Sequence, residues 1–122
     1  MTERKILVIS GTHGNELNPI WGVNKFKDLN KDTTKLRSFE FALGNPKAVQ
    51  AGLRYVDVDL NRSFNNFNDV SNKNLYEVSR AQFLKDKYGI QGSKACSTAI
   101  DLHTTTSSMG SSIVMYGRRE KD

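Results

Sequence analysis

Apolar positions along this chain fall into short runs and helical stripes, parted by stretches rich in Gly, Asn, Asp and Lys. Ile6-Leu7-Val8-Ile9 is an unbroken aliphatic run, the pattern of a strand covered on both faces, and a buried central strand is expected from Lys5 to Ser10. Gly11 and Gly14 then mark a tight strand-to-helix turn. Leu17, Ile20, Val23 and Phe26 recur at helical spacing and predict a helix opening near Asn15 or Pro19 and running to Leu29. Pro19 is tolerated only in its first turn. After the polar connection Lys31-Asp32-Thr33-Thr34-Lys35, Ser38 to Leu43 alternates at period two, a second strand ended by Gly44-Asn45-Pro46. A short helical turn over Lys47 to Ala51 follows.

Tyr55-Val56-Asp57-Val58-Asp59-Leu60 alternates like a strand, yet its two aspartates equally suit a functional loop. Asparagine dominates from Asn61 to Asn74, which reads as irregular loop. Asn74 with Glu77 three residues on resembles a capping box. The helix it opens carries Val78, Ala81, Leu84 and Tyr88 on one face, with Gly89 as its stop. Ser97 to Leu102 is the next strand and Ser111 to Tyr116 another, before a charged tail from Arg118 to Asp122. The order β-α-β-α-β-β, without repeats or an interdomain linker, indicates an α/β protein rather than an all-β one.

Composition narrows the class. A chain of 122 residues is one domain or a piece of one, and 37% apolar with 25% charged residues suits a water-exposed globular fold. No apolar run approaches a membrane span. Met1-Thr2-Glu3-Arg4-Lys5 leads straight into a strand, with no apolar leader segment. The one cysteine, Cys96, has no partner for an internal disulfide and fits a reducing compartment, so a cytoplasmic location is expected. Asn61-Arg62-Ser63 matches a glycosylation acceptor but has no consequence there. The net charge of +5 favours anionic partners. Its basic residues are scattered, however, with no recognition helix and no interleaving of aromatic and basic side chains, so neither a nucleic acid nor a membrane is the expected partner.

Both histidines of the chain, His13 and His103, directly follow expected strands. In open α/β sheets ligands gather beyond the carboxyl ends of strands. Two distant strands would thus bring His13, Glu16 and His103 to one point, and two histidines with a glutamate are a known catalytic zinc set. His13 and Glu16, at i and i+3, face one point from a turn; a helix-capping glutamate beside a surface histidine is the plainer alternative. Asp101 and His103, two apart on a strand, share a face, and an aspartate behind a ligating histidine fixes its ring. Alternatively, Asp101 bonds local amides or the Thr104-Thr105-Thr106 hydroxyls. Arg54, Asn61 and Arg62 offer guanidinium and amide groups in a loop, suited to holding a carboxylate or an oxyanion, or else they are surface polar residues of a basic protein.

Gly11-Thr12-His13-Gly14-Asn15-Glu16, Asn45-Pro46-Lys47-Ala48-Val49, Arg54-Tyr55-Val56-Asp57-Val58-Asp59-Leu60-Asn61-Arg62, Tyr76-Glu77-Val78-Ser79-Arg80-Ala81-Gln82 and Asp101-Leu102-His103-Thr104-Thr105-Thr106-Ser107-Ser108-Met109-Gly110 occur in that order. In this the chain resembles, from about Lys5 to Met115, the aspartoacylases. These are zinc amidohydrolases of the succinylglutamate desuccinylase/aspartoacylase group and relatives of the zinc carboxypeptidases. The resemblance implies a zinc-carboxypeptidase-like mixed sheet flanked by helices, with residues 1–122 as the N-terminal part of the catalytic domain. It implies Zn2+ held by His13, Glu16 and His103, Arg54 polarising the scissile carbonyl, and Asn61 and Arg62 on a substrate carboxylate. The implied reaction is hydrolysis of an N-acyl amino acid such as N-acetylaspartate to acetate and aspartate. A succinylglutamate desuccinylase, a carboxypeptidase-like hydrolase and an inactive zinc-binding module are the alternatives.

One departure changes these expectations. The group's general-base glutamate lies on a later segment, whereas only Glu120, in a charged tail of different context, follows His103 here. A positioned base typically contributes about 10²–10⁴-fold, so little or no turnover is expected of this chain alone. An unprotected sheet face or edge is expected too, with marginal stability and self-association into a homo-oligomer as its consequence.

Overall fold

The computed structural model describes residues 5–65 and 73–105. The expected strand from Ser111 to Tyr116, the charged tail with Glu120, and the stretch from Thr106 to Gly110 lie outside them. The described elements are β1 (Ile6–Ser10), α1 (Leu17–Leu29), β2 (Phe39–Leu43), α2 (Pro46–Ala51), α3 (Tyr76–Tyr88) and β3 (Thr98–Asp101). Single 3₁₀ turns cover Lys35–Ser38 and Leu60–Arg62.

The three strands form a parallel sheet in the order β2-β1-β3. β1, the most continuously aliphatic, takes the centre. Ile6 pairs with both Phe39 and Thr98, and Ile9 with both Ala42 and Asp101. In a parallel sheet paired residues share a face, so alternation sorts the side chains into two layers. Leu7 and Ile9 point to one side and pack with Leu60, Ala81, Leu84 and Tyr88 in the buried core. Val8, Phe39, Phe41 and Ile100 point to the other, where Val23 and Phe26 of α1 meet them. The expected inner face of α3 is buried at Val78, Ala81, Leu84 and Tyr88.

One local reading changes and one left open is resolved. The expected stripe on α1 is only partly covered: Val23 is buried, whereas Leu17 and Phe26 are exposed, and an apolar groove of about 230 Å³ stays open between α1 and the sheet. Residues 55–59 form loop rather than strand, and Leu60 opens the 3₁₀ turn. Every residue of β3 is exposed, and among the described residues the strand pairs on one side only. Among the described residues no helix is long and apolar enough to cross a membrane.

Two glycines shape the turn after β1. Gly11 has φ +68°, the left-handed region that a side chain disfavours. At Gly14 a Cβ would sit 2.1 Å from the Ala48 carbonyl carbon and 2.4 Å from the Leu53 oxygen. Only glycine fits this close passage between the first loop and the end of α2. Gly14 N–H donates to the Arg54 carbonyl at 3.2 Å, which stitches the two loops together.

Candidate metal centre

The parallel register puts the chain after β1 beside the chain after β3. Leu102 N–H extends the ladder by donating to the Ile9 carbonyl, and the Thr12 hydroxyl donates to Asp101 Oδ1 at 2.7 Å. His13 and His103 therefore leave neighbouring strand ends, and their ring centroids lie 5.0 Å apart. Glu16, just ahead of α1, stands between them. One ligand atom from each of His13, Glu16 and His103 falls within 4.8 Å of the others.

The orientation of the rings is more informative than their proximity. His13 Nδ1 contacts Glu16 Oε2, and His103 Nδ1 lies 3.4 Å from Glu16 Oε1. Both Nδ1 atoms thus converge on one carboxylate. Both Nε2 atoms turn away, each to its own aspartate: His13 Nε2 to Asp59 Oδ1 at 3.0 Å, and His103 Nε2 to Asp101 Oδ2 at 2.8 Å. An imidazole that gives one nitrogen to a carboxylate presents the other, in fixed tautomer and direction, to a metal. The separation of 3.4 Å also matches ligands spaced around a tetrahedral ion with bonds of about 2.1 Å. The donor set therefore fits a divalent zinc-type cation. Glu16 does not act as a helix cap; the N-terminus of α1 has no side-chain cap bond.

Electrostatics follow from this packing. Burial pushes the Glu16 carboxyl up, but the Thr104 N–H, the His13 hydrogen bond and the charges of both histidines outweigh it, leaving its pKa below the ordinary value. Asp59 behaves alike: burial raises it, while His13, the Asn61 N–H and Arg54 bring it down further. The Asp101 hydrogen bond lifts the His103 pKa against the opposing effect of burial, and the negative charges of Asp101 and Glu16 add to the rise.

The remaining candidates stand around this centre. Asn61 Nδ2 lies 3.5 Å from His103 Nε2. Arg54 is half-exposed, its Nη2 3.5 Å from Asp59 Oδ2, so a line of charge runs from His13 through Asp59 to Arg54. Arg62 is exposed at the end of the 3₁₀ turn that also carries Asn61. Asp101 bonds His103 with one oxygen and the Thr12 hydroxyl, rather than a hydroxyl of Thr104-Thr105-Thr106, with the other. Sequence reasoning missed Asp59 as the partner of His13; its place two residues before Asn61 was the available signal. It also missed Thr104, whose N–H donates to Glu16 Oε1 at 2.6 Å.

Two imidazoles and a glutamate beyond parallel strand ends, each imidazole backed by an aspartate, form a donor set of the catalytic zinc kind. The chain belongs to the succinylglutamate desuccinylase/aspartoacylase family, whose catalytic-domain model matches residues 2–122. It is 55% identical over its whole length to a probable aspartoacylase of Prochlorococcus marinus subsp. pastoris, of which it covers 40%. It is 52% identical to another from Prochlorococcus marinus, covering 41% of that protein. The crystal structure of murine aminoacylase 3 superposes with a TM-score of 0.62 at 31% identity, over 84% of this chain and 36% of that one. The zinc-carboxypeptidase-like α/β class expected above is therefore the class this chain has. The chain spans about two-fifths of the length of the relatives it matches.

Proposed function

We propose that the chain carries the metal centre and part of the substrate site of a zinc-dependent amidohydrolase acting on an N-acyl amino acid, with N-acetylaspartate the first substrate to assay. The observation that carries this reading is the convergence of two Nδ1 atoms on Glu16 while both Nε2 atoms are held by aspartates. His13, Glu16 and His103 would hold the ion, which when bound acts as a Lewis acid on the scissile carbonyl and on a water. Arg54, at the rim and already tied to Asp59, is placed to stabilise negative charge developing on the carbonyl oxygen. Asn61 and Arg62 would orient the substrate carboxylate, the guanidinium through paired N–H donors. The resulting binding partner is a small anionic molecule, and the single cysteine fits a cytoplasmic setting.

Each carboxylate at the centre is already engaged: Glu16 by both histidines and Thr104, Asp59 by His13, Asp101 by Thr12 and His103. Among the described residues none of these carboxylates stands free to take a proton from water. Elemental analysis and an acetylaspartate assay test the proposal. Zinc is expected near one equivalent in the parent chain and absent from His13→Ala/His103→Ala, with aspartate release confined to a protein that also carries the remaining length of its relatives. Equal zinc in parent and double variant would defeat the site assignment.

A further inference from the structure

Glu77 is fully buried, yet it belongs to no part of the site described so far. As a capping-box residue it would reach back to its own helix. Instead the residue at the N-cap of α3 is Leu75, whose side chain makes no cap bond. Glu77 Oε1 accepts three successive backbone N–H groups, those of Val56, Asp57 and Val58, at 3.0, 2.5 and 3.0 Å. The loop returns the contact: Asp57 Oδ2 accepts the N–H of Tyr76, first residue of α3, at 2.8 Å. Each element thus gives its amides to the other's carboxylate.

A buried carboxylate is costly unless its bonds are met, and three consecutive N–H groups around one oxygen make a strong anion site. The clasped residues lie directly between Arg54 and Asp59. Asp59 Oδ1 reaches His13 Nε2 at 3.0 Å and the Asn61 N–H at 2.9 Å, and its Oδ2 faces Arg54. The Arg54 carbonyl in turn receives Gly14 N–H, beside His13. The path from Glu77 to His13 is one loop backbone and one aspartate.

We infer that Glu77 is a positioning residue of the metal centre: by gathering residues 56–58 onto α3, it sets the reach of Asp59 to His13 and so the direction in which His13 presents Nδ1. The effect acts through Asp59 and touches no ligand directly. Its link to metal affinity rests on the proposed zinc reading; its link to the His13 ring does not.

Proton NMR of the metal-free intact protein tests it through the hydrogen-bonded ring proton on His13 Nε2, assigned by its loss in Asp59→Ala. The signal is expected to vanish in Glu77→Ala and to weaken in Asp57→Ala, which removes the exposed half of the clasp without emptying the core. It is expected to persist in Glu77→Gln, which keeps one accepting oxygen, and in Leu84→Val, a control that loosens the same helix. Zinc affinity should fall about tenfold in Glu77→Ala. A ring signal that survives in Asp57→Ala and in Glu77→Ala, or one lost equally in Leu84→Val, overturns the inference. Should Glu77→Ala not fold, Asp57→Ala against Leu84→Val decides. A parent protein that binds no zinc defeats the metal reading alone, since the ring proton still reports on the clasp.

Discussion

Removing the Asp59 carboxylate is the most direct probe of how the centre is built. Asp59→Ala deletes the acceptor of His13 Nε2, and His13 is only 5% exposed, so water has little access to replace it. It also deletes the acceptor of the Asn61 N–H and the anionic neighbour of Arg54. A hydrogen bond involving a charged group contributes about 1.5–3 kcal/mol; with Asp59 itself 18% exposed, the lower half of that range applies. Substitution of a carboxylate that supports a metal-bound imidazole typically costs about 10–100-fold in affinity, and tenfold corresponds to about 1.4 kcal/mol. The two routes agree on a zinc affinity lowered about 10- to 40-fold. Competition with a chromophoric chelator at neutral pH measures it, with Asp59→Asn as the milder variant because its amide oxygen still accepts. Zinc affinity in Asp59→Ala equal to that of the parent would refute the claim that this carboxylate orients His13.

Two further outcomes follow from the same geometry. Stability of the metal-free protein should peak in mildly acidic solution. Glu16 and Asp59 have pKa values below their ordinary 4.5 and 3.8, so their contribution is present above those values and is lost as pH falls through the lowered ones. His103 lies above its ordinary 6.5, so its contribution is complete below 6.5 and is lost as pH rises through the raised value. Thermal melts with a chelator present check this, and a melting temperature that climbs steadily through neutral into alkaline pH contradicts it. Gly14→Ala should destabilise by about 1–3 kcal/mol through overpacking and weaken zinc binding as His13 shifts, because the new methyl meets Ala48 and Leu53 backbone. An alanine variant that melts and binds zinc like the parent removes the steric argument.

Much of the scaffold was legible because it is written at short range. The aliphatic run of β1, the alternation of β2 and the buried stripe of α3 each follow a period of a few residues, and each appears where that period puts it. The convergence of His13, Glu16 and His103 was legible because two rare side chains each followed a strand, and strand ends in an α/β sheet converge. What stayed hidden depends on partners remote in sequence. Asp59 meets His13 across 46 positions and Thr12 meets Asp101 across 89, and no local spacing encodes either pairing. The capping box suggested by Asn74 and Glu77 gives way because three loop amides outcompete one helix-end amide for the same oxygen. The stripe on α1 was overread at Leu17, which is 60% exposed: periodicity tells which side chains share a face, not how far a neighbouring surface extends to cover it.

Thr104 offers both its amide and its hydroxyl to Glu16 Oε1, across 88 positions of chain. The glutamate thereby acts as a crossbeam between the two strand-end segments. A frame cross-tied in this way would need little ordering to take up the proposed ion, unlike small zinc domains that gain their shape from the metal. A chelator should accordingly leave the scaffold standing, its tie from Glu16 to Thr104 intact.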